Sequence, residues 1–252
     1  MDRFIKADYH THTVNSHGKG TIEENVLKAI ERGMEVIAIT DHGFGQPFAG
    51  ITPKKFESMK EQVAKLREEY KNIKIMLGVE ANVINKKGDV DLTEEQIKEM
   101  DIILSGYHLT ATEWKLPALF NVACPALLWK MGCISKSQIE KNTKTYLDML
   151  DKYPIDVVTH PGYLLGLDYK VFGKACAERG TYVEISTRHE MPTKEGLLEL
   201  LDTDCQFIIN SDAHELDQIG RVDYALNLIE ELKIQDRVVN YNSSEIKLRS
   251  KS

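Results

Sequence analysis

Residues 36–42 read Val36-Ile37-Ala38-Ile39-Thr40-Asp41-His42. Four consecutive apolar residues, most of them β-branched, lack the alternation of a strand that faces water on one side. The run reads as a strand buried on both faces, the pattern of a parallel sheet covered by helices. It ends in a carboxylate and an imidazole, so its C-terminal end carries chemistry that its body does not.

Working outward, the same unit recurs. Residues 7–13 read as the preceding strand. The helix between them starts at Thr21, where Glu24 three residues on makes a capping box, and stops at Gly33. Beyond His42, a charged helix spans about 53–70, a strand 73–80, and a short capped helix begins at Thr93. Strands at 102–105, 155–158, 182–185 and 207–210 then alternate with helices at 137–152, 168–179, 193–201 and 216–232. A short last strand is read at 238–240, before a polar tail. About seven βα units with no Gly-, Pro- or Ser-rich linker predict one α/β domain over 1–252. Seven units suit a closed or nearly closed parallel barrel, with a doubly wound open sheet as runner-up. There is no internal repeat, low-complexity tract or G-x-G-x-x-G loop.

Composition narrows the function. With 252 residues, 42% of them hydrophobic, the chain can bury a sizeable core. A net charge of -7 argues against a general nucleic-acid binder, which is usually basic. An acidic protein can still take a phosphate ester, because bound cations reverse the local field. The N-terminal residues show no apolar run or cleavage site of a secretory signal. The four cysteines (Cys124, Cys133, Cys176, Cys205) form no C-x-x-C pair, which suits free thiols and a cytoplasmic location. Residues 114–134, WKLPALFNVACPALLWKMGCI, approach membrane-spanning length. Pro117, Asn121, Pro125, Lys115 and Lys130 interrupt them, so a lid, a pocket wall or a homo-oligomer contact is expected rather than a span.

The placement of the eight histidines is the functional signal. His10 and His12 end the first strand as His-x-His, with His17 in the loop beyond. His42 follows the second strand, Glu80 ends the third, His108 lies past the fourth and His160 past the fifth. Asp212 and His214 follow the last long strand. In a parallel βα barrel all strands point one way, so residues from His10 to His214 would meet on one face. Two histidines spaced by two on a strand share a face and can grip one ion. Any one of them alone is more readily a hydrogen-bonded structural residue; seven at predicted strand ends are not. Nine nitrogen and oxygen donors exceed what one tetrahedral zinc needs, so several ions are implied, with zinc, manganese and iron all compatible.

These elements resemble a known family. Asp8-Tyr9-His10-Thr11-His12-Thr13, Thr40-Asp41-His42-Gly43, Gly78-Val79-Glu80-Ala81-Asn82, Gly106-Tyr107-His108, His160-Pro161-Gly162 and Ser211-Asp212-Ala213-His214 are similar to the motifs of the PHP (polymerase and histidinol phosphatase) family. The length and the run from Glu80-Ala81-Asn82 to Gly88-Asp89-Val90-Asp91 look most like its small stand-alone YcdX-like members. The resemblance implies a distorted (βα)7 parallel barrel and a trinuclear site of three divalent ions. In it His10, His12, Glu80 and Asp212 would hold one ion. Glu80 would bridge to a second, also held by His108 and His160, and His17, His42 and His214 would hold a third. The stretch 114–134 is atypical of that family.

The function so implied is hydrolysis of a small-molecule phosphomonoester, with Glu80 and Asp212 at the ions. Arg188, which follows the sixth strand on the same expected face, is read as gripping substrate phosphate by its planar fork, with a surface salt bridge as an equal alternative. Asp8 and Asp41 precede ligand histidines and are read as orienting them by hydrogen bonds; for Asp41 a helix cap or solvated loop carboxylate is as good a reading. Lys19 and Tyr107 are further pocket candidates. His189 belongs to no ligand motif and stays outside the set. A nuclease, a nucleotide phosphodiesterase and a histidinol-phosphate phosphatase are the alternatives on the same scaffold. An amidohydrolase-type deacylase would need a bridging lysine at a strand end, where Glu80 stands instead. A metal-binding module without catalysis is the non-enzymatic alternative. No long nucleic acid and no membrane is expected as a partner.

Overall fold

A computed structural model describes residues 5–47, 49–108 and 134–251. Seven strands form one sheet in sequence order: β1 (Ala7–Thr11), β2 (Val36–Ile39), β3 (Lys74–Asn82), β4 (Ile102–Gly106), β5 (Val157–Val158), β6 (Tyr182–Ser186) and β7 (Phe207–Asn210). Every adjacent pair is parallel. The connecting helices are α1 (Ile22–Glu31), α2 (Pro53–Glu69), α3 (Glu94–Lys98), α4 (Lys136–Lys152), α5 (Tyr169–Arg179), α6 (Lys194–Leu201) and α7 (Asp223–Leu232).

Local chemistry starts these helices where the sequence places them. Thr21, Thr52, Thr93, Ser135, Asp168 and Thr193 each accept a backbone N–H of the first turn. Each such cap contributes about 1 kcal/mol. Thr21 and Thr93 complete reciprocal capping boxes with Glu24 and Gln96.

The apolar side chains divide by strand parity into two layers. Ile37, Ile39, Ile75, Leu77, Ile103, Val183, Ile185 and Ile209 join helix residues such as Phe56, Met59, Tyr146 and Phe172 in the outer core. Ala7, Tyr9, Val36, Ala38, Met76, Ile102, Leu104, Val157, Tyr182 and Ile208 form a second cluster inside the barrel. From the tail, Ile246 and Leu248 pack against that inner cluster and cover its lower end. The two layers explain why the strands read as unbroken apolar runs.

The barrel is nearly closed. Between β7 and β1 the seam is bridged by side-chain amides and one isolated bridge, Thr11 to Ala213. Tyr9 N donates to Asn210 Oδ1 at 3.0 Å, and Asn240 Nδ2 donates to the carbonyls of Ala7 and Ile209 at 3.2 and 2.6 Å. The expected strand at 238–240 is therefore only a bridge, Phe207 to Val238, and Asn240 works through its side chain. The expected helix 216–232 is also divided. A 3-10 turn over Leu216–Gln218 precedes α7, and between them Gly220 takes a left-handed φ of 71° that a helix cannot contain. Among the described residues no helix is long and apolar enough to cross a membrane. All but the last residue of the stretch 114–134 lies outside the described residues, as do Cys124 and Cys133. Cys176 and Cys205 are buried free thiols.

Candidate metal centre

A register shift in β1 aims the first two ligand candidates. Asp8 pairs with Ile37 but Thr11 with Ile39, so three steps on β1 match two on β2. The extra residue reverses the parity of the strand. Tyr9 stays in the inner layer, and His10 and His12 then point into the barrel mouth above it, both fully buried.

The other strands deliver their donors at the same level. Glu80 is buried near the end of β3. Its Oε2 stands 3.4 Å from His10 Nε2, 3.6 Å from His12 Nε2 and 2.9 Å from His42 Nδ1. Its Oε1 stands 2.9 Å from His160 Nε2 and 3.5 Å from His108 Nε2. Asp212 Oδ1 stands 3.2 Å from His12 Nε2, 3.6 Å from His10 Nε2 and 3.4 Å from His214 Nδ1. His17, the most exposed of the nine, puts its ring 4.2 Å from that of His214 and 4.7 Å from that of His42. All nine expected donors thus meet at one mouth. They do not separate cleanly into the three expected sets. His42 lies with Glu80 and His108 and also with His12 and His214, and Glu80 stands within 3.6 Å of His10, His12, His42, His108 and His160.

The arrangement suits cations. Glu80 Oε2, Asp212 Oδ1, His12 Nδ1 and His42 Nδ1 are buried and none makes a hydrogen bond of acceptable geometry, even though Glu80 Oε2 and His42 Nδ1 stand 2.9 Å apart. Orphaned buried donors and acceptors cost about 1–3 kcal/mol each, so a cluster of them facing one another calls for an occupant they can share. His10 Nε2 and His12 Nε2 approach to 3.1 Å. Burial pushes the Glu80 carboxyl up, but the imidazoles packed round it, His10 and His160 among them, outweigh it and hold it well below the usual carboxylate range. Asp212 is held low against burial by His10 and His12. Burial and neighbouring imidazoles or Arg188 depress His12 well below its ordinary value, His108 to about 3, and His17 and His214 to about 4. Those rings are neutral at pH 7 and offer lone pairs. His10 and His160 go the other way: their carboxylate neighbours overcome burial and raise them.

A supporting layer fixes which nitrogen faces the cluster. His10 Nδ1 meets Glu184 Oε1 at 2.8 Å, and the same carboxylate accepts Asn210 Nδ2 at 2.9 Å and His160 N at 2.8 Å. The Glu184 carboxylate can only accept, so His10 Nδ1 carries the proton and its Nε2 faces the mouth. Asn82 Nδ2 donates to Asp91 Oδ2 at 2.6 Å, which turns Asn82 Oδ1 towards His108 Nδ1 at 2.8 Å. His108 Nε2 is thereby freed for the Glu80 side. His214 Nδ1 donates to the Asp212 carbonyl at 2.9 Å. Two donors sit on left-handed backbone, His160 at φ 30° and Asp212 at φ 51°. Such backbone costs about 1–3 kcal/mol and concentrates where geometry serves function. Gly106 closes the floor: a Cβ there would overlap Thr159 Oγ1 and stand 2.9 Å from His160 Cε1.

Several expectations need correction. Asp8 and Asp41 orient no imidazole. Asp8 takes the backbone N–H groups of Ser211 and Gly220 and the Ser211 hydroxyl, so it fastens the 211–220 loop. Asp41 accepts from Thr13 N, Thr13 Oγ1 and Ser16 Oγ and fastens the loop that carries His17. Neither is a solvated loop carboxylate, since both are fully buried. Lys19 is exposed and paired with Glu215, and Tyr107 belongs to the outer core. Arg188 is exposed in the loop after β6, lining a cavity of about 600 Å³ with His189 and Ser211. His189, left outside the set, enters the site: its Nε2 lies 3.2 Å from Asp212 Oδ2. Glu184 was missed altogether, although a lone acid within Tyr182-Val183-Glu184-Ile185-Ser186 was a visible signal.

The family model of the PHP domain matches residues 8–241. A protein of Caldanaerobacter subterraneus subsp. tengcongensis, named a probable phosphatase, is 27% identical over 243 residues, 92% of this chain and 85% of the relative. One of Thermoanaerobacter sp. (strain X514), named likewise, is 28% identical over 251 residues, 95% of this chain and 92% of the relative. The solved histidinol phosphate phosphatase of Lactococcus lactis, complexed with zinc, L-histidinol and phosphate, aligns with a TM-score of 0.57 at 17% identity, over 91% of this chain and 94% of that one. That likeness bears on the fold. Matched along most of its length by the family model, the chain belongs to the PHP domain family.

Proposed function

We propose that this chain is a metal-dependent phosphatase that hydrolyses a phosphomonoester of a small molecule. One observation carries the reading: buried, partnerless oxygens and nitrogens of Glu80, Asp212, His12 and His42 converge at the barrel mouth, next to a cavity lined by Arg188. The relatives named probable phosphatases support it, as does the family. In this reading His10, His12, Glu80 and Asp212 hold one ion, Glu80 with His108 and His160 a second, and His17, His42 and His214 a third. Zinc, manganese and iron all suit the donors.

Divalent ions there supply a Lewis acid that lowers the pKa of water towards neutrality and neutralises phosphate oxygens. The chain's own groups do the rest. Glu184 and Asn82 lock His10 and His108 with Nε2 inward. Glu80 and Asp212 stay ionised, so the mouth keeps its negative charge for cations at neutral pH. Arg188 takes two phosphate oxygens in its planar fork and orients the ester bond. The leaving group extends into the cavity of about 600 Å³, a size that suits a small molecule rather than a long polymer.

The test is turnover of p-nitrophenyl phosphate and of histidinol, sugar and nucleotide phosphates with zinc, manganese or iron, beside His10→Ala. Ion-dependent monoester hydrolysis that the variant loses is expected. Equal turnover in His10→Ala, or rapid cleavage of a labelled oligonucleotide alone, would overturn the reading.

A further inference from the structure

His189 occupies a position that the nine-donor set does not include. It sits at the tip of a short loop clamped at its base, where Ser186 N donates to Met191 O at 2.8 Å and Met191 N to Ser186 O at 3.3 Å. The clamp holds residues 187–190 as one tight turn, so His189 is presented on fixed backbone. Its ring lies 4.0 Å from that of Tyr163 and, edge-on, 4.7 Å from that of His160. Its side chain keeps 20% of its surface exposed, while Asp212 and His160 are almost fully buried.

Asp212 makes this position chemically distinct. Its Oδ1 faces His10, His12 and His214, and its Oδ2 faces His189 Nε2 at 3.2 Å. His160, His189 and Asp212 each place one donor atom within 4.8 Å of the others. Two nitrogens and an oxygen, two of them on left-handed backbone and one on a residue that also lines the Arg188 cavity, thus come together beside that cavity.

We propose that His189 is a tenth metal ligand, joining the ion read above as held by Glu80, His108 and His160, with Asp212 Oδ2 beside it on the cavity side of the cluster. The inference rests on the metal-centre reading above and extends it. In place of a hydrogen-bonded rim residue, His189 ties the β6 loop to the ions, so that loop, with Arg188 on it, is fixed by metal loading. A merely supporting His189 would donate Nε2–H to Asp212 Oδ2 and hold no ion.

The test compares wild type, His189→Ala, His189→Gln and Arg188→Ala by metal content after zinc loading, by zinc competition titration and by the visible spectrum of the cobalt-loaded protein. Gln can still donate to Asp212 but replaces the imidazole nitrogen. We expect both His189 variants to lose one ion equivalent, or to weaken the most labile one by more than about tenfold, the scale at which even outer partners act. Their cobalt spectra should change while Arg188→Ala keeps the wild-type content and spectrum. Full recovery of binding in His189→Gln, or an unchanged His189→Ala, overturns the proposal and leaves the nine-donor centre standing. A wild-type protein that retains no ion overturns both.

Discussion

Glu184→Gln is the sharpest probe of how the centre is built, because it alters one atom in a buried side chain that touches no exposed group. The carboxylate accepts three donors: His10 Nδ1 and Asn210 Nδ2 on Oε1, and His160 N on Oε2. An amide keeps one acceptor and gains a donor, so whichever way it turns, an N–H meets an N–H. If Oε1 stays towards His10, the new NH2 opposes His160 N, on the residue already at φ 30°. If it flips, His10 Nδ1 loses its acceptor and the Nε2-inward tautomer is no longer enforced. Leaving one buried donor unmet costs about 1–3 kcal/mol. For a chain of this size each kcal/mol moves Tm by about 2–4 °C, so metal-free protein should melt about 2–12 °C lower. Ion affinity should fall about 10- to 100-fold, as when the partner of a ligating histidine is removed. Calorimetric melting of metal-free protein and competition titration with zinc read the two effects separately. Unchanged affinity and unchanged melting together would refute the claim that Glu184 sets the tautomer of His10.

Three further outcomes follow from the geometry. Gly106→Ala drives a Cβ into Thr159 Oγ1, 2.9 Å from His160 Cε1 and 3.2 Å from Glu80 Oε1, so ion affinity should drop at least about tenfold on the scale of second-layer damage; wild-type affinity in a titration would show that the floor yields freely. Arg188→Ala should raise KM for a phosphomonoester by roughly tenfold or more while ion content stays constant, since a charged hydrogen bond contributes about 1.5–3 kcal/mol; steady-state kinetics with an unchanged KM would remove Arg188 from the substrate site. Metal-free protein should lose stability as pH falls. His108 at about 3, and His17 and His214 at about 4, are depressed in the fold, so below about 6.5 the unfolded chain takes up protons first. His10 and His160 are raised and act in the opposite sense, but fewer rings do so. Urea midpoints that hold steady or rise from pH 6.5 to 4 would contradict this.

What the sequence made legible was set by locality. The caps at Thr21 and Thr93, and the strand bodies, depend on residues within a few positions, and they appear within a residue or two of where they were read. The strand-end donors were legible for a different reason: parallel order converts position after a strand into a shared face. What stayed hidden depends on pairs far apart in the chain. Asp8 looked like a partner for the His10 ring but accepts only the His10 backbone N–H, and it binds Ser211 and Gly220, some two hundred residues away. Asn240 resembled the end of a strand and instead closes the seam with its amide. Glu184 lies in the middle of an apolar run, and only its inward parity, shared with Tyr182 of the inner layer, marks it as part of the mouth.

The β1 register shift ties these observations together. Were all the residues of β1 beyond Asp8 in unbroken one-to-one register with β2, His10 and His12 would share the parity of Asp8 and face the helices. With the shift, one strand serves three ends at once. Tyr9 fills the barrel, Asp8 anchors the 211–220 loop that carries Asp212 and His214, and the two histidines meet Glu80 from two strands away. Position and charge are therefore coupled through one irregularity of backbone. Straightening β1 into one-to-one register with β2 without shortening it would turn both imidazoles towards the outer core, exchanging buried donors for apolar neighbours that cannot satisfy them.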